Sequence, residues 1–94
     1  MQKISQIQAE IFVIDKLLSR RYIGAHQVLF ENIPKGKPPE DKKTIIKAID
    51  NLANKGFLIT KKKHYGVHVS IDPRKIKEIR EHLDRLEMLG GETV

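Results

Sequence analysis

The run PPEDKKTIIKAIDNLANKGFLI, Pro38 to Ile59, constrains the fold of this chain more than any other stretch. Proline has no backbone donor, so Pro34, Pro38 and Pro39 make PKGKPPED a loop that leads into a helix. The helix is expected over residues 40–55. Glu40 and Asp41 suit its positive N-terminal end, and Gly56 supplies a left-handed stop after it. At about 100° per residue, Ile45, Ala48, Ile49, Leu52 and Ala53 share one face suited to burial. Lys43, Thr44, Lys47, Asn51 and Asn54 fall opposite, with Asp50 at the margin.

After Gly56 the period changes from that of a helix to that of a strand. Val67, Val69 and Ile71 alternate with His68 and Ser70, the pattern of a half-buried strand. FLIT and GVHVSI therefore predict a hairpin over 57–71, with Lys61, Lys62, Lys63 and Gly66 in its turn. Three adjacent lysines repel one another, so either water or an anionic partner must offset them.

The flanks are helical. Ile4, Ile7, Ile11, Ile14 and Leu18 recur at spacings of 3, 4, 3 and 4, which predicts a helix over 3–19. Gly24 interrupts the chain, and the apolar-rich segment after it, closed by Pro34, predicts a shorter helix over 25–32. Asp72 and Pro73 are a cap and a first-turn proline for a final helix over 73–89, whose Ile76, Ile79, Leu83 and Leu86 form a seam.

Ninety-four residues fit one domain, 1–94, and 39% hydrophobic with 32% charged residues is globular composition. There is no cysteine, which excludes disulfides, thiol catalysis and cysteine-based metal sites. MQKISQIQAE is too polar for a signal peptide, and no apolar run approaches the roughly 20 residues that span a bilayer, so the expected compartment is the cytoplasm. Plentiful Lys, Glu and Ile with no Trp leans towards a thermophilic source. The net charge of +6 is localised: residues 1–34 carry +1, residues 35–64 carry +6 and residues 65–94 carry −1. A charge confined to the middle third points to an anionic partner.

The order helix, helix, helix, strand, basic turn, strand, helix resembles the winged-helix family of DNA-binding domains, as found in small prokaryotic and archaeal regulators. The residues that carry the resemblance are TIIKAIDNLANKGFLI, Thr44 to Ile59, and it extends over nearly the whole chain. It implies an α+β fold with a three-helix core, a two-stranded hairpin wing and a C-terminal helix. It also implies a function: sequence-specific binding of double-stranded DNA, as a transcriptional regulator. Lys43, Thr44, Lys47 and Asn51 would belong to a recognition helix in the major groove, where Lys can donate to guanine and Asn can pair with adenine. Lys61, Lys62, Lys63 and His64 would be wing contacts to phosphates, joined by Lys35 and Lys37 from the linker. The linker is longer than the family's usual turn, and Asp50 suggests that the helix's C-terminal half points away from DNA. The alternative is a winged helix serving as a protein-interaction or RNA-binding module in a larger assembly.

Other chemistry has little support. His64 and His68 have no third ligand beside them, His26 and His82 suit a surface or an interface, and no cofactor is implied. No serine has a nucleophile's context and no glycine-rich phosphate loop precedes a helix, so catalysis is not expected. The end helices carry more apolar seam than a winged-helix core requires. Ile4, Ile7, Ile11, Ile76, Ile79, Leu83 and Leu86 are therefore expected to pack across the axis of a homodimer.

Overall fold

Ser5 starts the first helix. Its hydroxyl accepts from the Gln8 amide (3.0 Å) while the Gln8 side chain accepts from the Ser5 amide (3.1 Å), a reciprocal cap that satisfies two otherwise orphaned donors. The helix, α1, spans Gln6–Ser19. It ends where Arg21 adopts a left-handed conformation (φ 58°) and the Tyr22 amide donates back to the Leu17 carbonyl (2.9 Å). The computed structural model describes residues 4–91.

The helix expected over 25–32 is absent. In its place Val28–Leu29 forms a short strand, β1, followed by a 3₁₀ turn at Phe30–Asn32. The cause is non-local. Val28 pairs with Val69 and Leu29 with His68, and the Gly24 amide donates to the Ile71 carbonyl (2.9 Å). The Ser70 hydroxyl donates to the Gly24 carbonyl (2.8 Å), tying down the stretch before β1. A strand edge offering unpaired backbone groups outcompetes one marginal turn of helix. The core therefore holds no third helix ahead of the hairpin, and the sheet has three strands rather than two.

Helix α2 spans Pro39–Asn54, with Pro38 as its N-cap residue and Gly56 (φ 83°) after its end. Strands β2, Leu58–Lys63, and β3, Gly66–Ile71, follow, so the sheet order is β1-β3-β2, with β3 antiparallel to both neighbours. The lysines are not in the turn, as the spacing had suggested. Lys61, Lys62 and Lys63 belong to β2, paired with His68, Val67 and Gly66, and the turn is only His64 and Tyr65. Gly66 (φ 129°) closes it without a Cβ, and a Cβ there would meet Leu29 Cδ1 at 3.4 Å. A 3₁₀ turn, Pro73–Lys75, leads into α3, Ile76–Leu86, and the irregular segment Glu87–Gly91 follows. The described residues thus form an α+β fold of three α-helices and a three-stranded antiparallel sheet.

The core lies between α1, α2 and the sheet, with Val13, Ile14, Leu17, Ile45, Ile49, Leu52, Val69 and Ile71 almost wholly buried. The seam assigned to a dimer is spent largely in the same place. Ile79 and Leu86 are buried in this chain's own core, while Ile4, Ile7, Ile11, Ile76 and Leu83 pack half-buried against it. The bottom of α3 is fixed by polar contact as well. His82, expected at a surface or an interface, instead turns from α3 towards α1, with Nε2 3.2 Å from Glu10 Oε1 and its ring against Phe57. No helix of the described residues is long and apolar enough to cross a membrane.

Candidate nucleic-acid interface

The α2 surface left open by the core is set by its 3.6-residue period. Lys43, Lys47, Asp50 and Asn54 are exposed along it, with Ile46 at one side. Two residues expected there are displaced. Thr44 is buried, its hydroxyl donating to the Glu40 carbonyl (3.2 Å), and it lies one turn from the core residue Ala48 on the same side of the helix. Asn51 is half-buried at the flank. Asp50 stands on the same open face as Lys43 and Lys47, about one turn beyond Lys47, so along this face a carboxylate follows the two cations.

The hairpin stands beside the other half. Direct partners in an antiparallel pair share a face, so Thr60 and Val69, then Lys62 and Val67, form the face that continues the core. Lys61 with His68, and Lys63 with Gly66, lie on the opposite face. The three lysines are thus divided, with Lys62 alone on the α2 side. His68 is half-buried and, among the described residues, its Nδ1 has no hydrogen-bond partner. At the tip His64 and Tyr65 meet edge to face (centroids 5.4 Å apart, 87°), and Tyr65 is 85% exposed.

Between α2 and the hairpin runs an open groove of about 700 Å³. Phe30, Ala53 and Val67 give it apolar walls, and Glu31 and Asp50 place carboxylates on it. Phosphates are disfavoured in this groove and tolerated at its two cationic borders, Lys43 with Lys47 and Lys62.

The linker lysines are parted from each other. Lys35 and Lys37 are both exposed, but Lys37 Nζ lies 4.8 Å from the Phe12 ring centroid, against α1. Lys16 Nζ is on the same ring at 5.5 Å and donates to the carbonyls of Ile33 (3.0 Å) and Asn32 (3.3 Å). Burial, then the charges of Arg20 and Lys37, hold the Lys16 ammonium below its ordinary pKa. Sequence reasoning passed over Lys16 and Arg20. Their spacing of four on a helix was a usable signal, but the approach of Lys37 is visible only once the loop is folded.

Among the described residues, no three His, Cys, Asp or Glu side chains converge as a metal site. His64 lies in the turn and His68 within β3. Comparison of the chain with family models, curated proteins and solved structures finds no match in any of the three.

Proposed function

We propose that this protein is a winged-helix-type domain that binds duplex DNA, with α2 as its groove-facing helix and the β2–β3 hairpin as its wing. The observation that carries the reading is the open half-face of α2 bearing Lys43 and Lys47 beside a lysine-bearing hairpin with an exposed aromatic tip. The element order supports it as well: helix, short strand, helix, two strands, helix. The expected second helix survives only as the 3₁₀ turn at Phe30–Asn32, and the long loop to Pro38 replaces a tight turn. Asp50 and Glu31 turn phosphates away from the groove, so contact falls to the N-terminal half of α2 and to Lys62. Transcriptional regulation is the role this reading suggests. It needs only one copy of the chain, because the apolar seams pack internally.

Three cations on that side, Lys43, Lys47 and Lys62, set a salt dependence. At about 0.9 counterion per phosphate contact, the log–log slope of affinity against salt should be about −2.7 or steeper. Fluorescence anisotropy with a random duplex across a salt series measures it. Binding that is absent, or indifferent to salt, sinks the reading. The apolar walls of the groove favour a different class, a module that takes a cationic peptide segment. Under that reading a cationic peptide moves the Thr60, Ala53 and Val67 resonances, and duplex DNA shows no salt-dependent affinity.

A further inference from the structure

We propose that Lys16, Arg20 and Lys37 form a second anion-binding corner, which grips a backbone phosphate of the same duplex beyond the α2–hairpin face. The inference rests on the DNA reading above and extends its footprint to α1.

Lys16 and Lys37 are held, not merely solvated. Lys16 spends two of its ammonium donors on the Asn32 and Ile33 carbonyls, which fixes the head group and leaves one N–H outward. Lys37 reaches the Phe12 ring from the loop, within the roughly 6 Å over which a cation and an aromatic face attract. Arg20 follows Lys16 by four residues, one turn along the same side of α1. Phe12, Asp15, Lys16, Ser19 and Arg20 line a shallow open depression there. Asp15 is its single carboxylate, and none of the three cations makes a salt bridge among the described residues.

Convergence of like charges is unfavourable by itself: after burial, the charges of Arg20 and Lys37 are what hold the Lys16 ammonium below its ordinary value. An anion seated among them removes the repulsion and gains charge-assisted hydrogen bonds. A phosphate diester suits the place, because its oxygens can meet an ammonium and a guanidinium at once while its other substituents stay in water.

Position connects the corner to the proposed site. Lys37 immediately precedes Pro38, the N-cap of α2, whereas the hairpin flanks Asp50, Ala53 and Asn54 at the helix's other end. The 16 residues of α2 span about 24 Å, the rise of about seven base steps. Corner and hairpin therefore bracket α2, one at each end, and a duplex lying along the helix can meet both.

The test uses the full chain and a random duplex across a salt series. Arg20→Gln with Lys37→Gln leaves the Lys16 hydrogen bonds in place, so the fold should persist, as circular dichroism would verify. The expected result is a log–log slope shallower by about 0.9, the value of the one phosphate contact that the corner supplies. A variant carrying Lys61→Gln, Lys62→Gln and Lys63→Gln is measured beside it. If that variant loses slope while the Arg20/Lys37 variant matches the wild type, the corner is overturned and the DNA reading stands. A wild-type chain that binds no duplex overturns both.

Discussion

The register of the hairpin makes a prediction that its composition cannot. Lys61, Lys62 and Lys63 are equivalent as charges but not as positions, because Lys62 shares the α2-side face with Thr60 and Val67 while its neighbours share the opposite face with His68 and Gly66. A duplex seated on Lys43 and Lys47 meets the hairpin from the α2 side. Lys62→Gln should therefore flatten the log–log slope by about 0.9, the value of one phosphate contact. Between 50 and 200 mM salt, a fourfold change, one such contact alters affinity about 3.5-fold. The ratio of wild-type to Lys62→Gln affinity should shrink by that factor over the range. The double replacement of Lys61 and Lys63 removes twice the charge, so a charge-only account predicts a loss of about 1.8 in slope. The register predicts a smaller loss than Lys62→Gln alone produces. Anisotropy titrations at four salt concentrations separate the two accounts. Equal loss per lysine would refute the argument from register, and a loss confined to the double variant, with none for Lys62→Gln, would place the duplex on the other face of the sheet.

Two further predictions concern stability. His82→Ala leaves the Glu10 carboxylate, about 9% exposed, without its partner beneath α3 and opens space beside Phe57, so unfolding in urea should show a loss of about 1–3 kcal/mol. A loss under about 0.5 kcal/mol would mean that water already serves Glu10 there. Asp72 offers a pH test. Hydrogen bonds from the Arg74 guanidinium, then from the Arg74 amide, hold its carboxyl below the usual range, against an opposing effect of burial. A carboxyl depressed on folding stabilises fully above its unfolded pKa of about 3.9, and that contribution drains away as pH falls through the lower folded value. Melting temperatures of wild type and Asp72→Asn should differ at pH 6 and converge towards pH 2, whereas a constant gap would exclude the linkage.

What could be read from the sequence was local. The chain between Pro38 and Gly56 announces α2 within a residue at either end, because proline lacks a donor and glycine tolerates a left-handed turn, both properties of single residues. Alternation along Val67, Val69 and Ile71 marks β3, and the excess of lysine between residues 35 and 64 marks where an anion would be drawn. Thr44 marks the edge of that legibility. Helical angles give a face but not its width, and in the folded chain the buried face is wide enough to include it.

What the tertiary structure decided depends on partners distant along the chain. Residues 25–32 carry nearly balanced preferences, and the open edge of β3, some 40 residues on, tips Val28 and Leu29 into a strand. The hairpin turn is two residues rather than the six, 61–66, that the spacing suggested, and that shift alone moves three lysines from a solvated turn to alternate faces of a sheet. The apolar stripe of α3 pointed to a partner of some kind, but a period cannot say which, and here α1 of the same chain meets it. The meeting of Lys16, Arg20 and Lys37 around Phe12 arises in the same way: side chains about twenty residues apart become neighbours only when the loop to Pro38 folds back on α1.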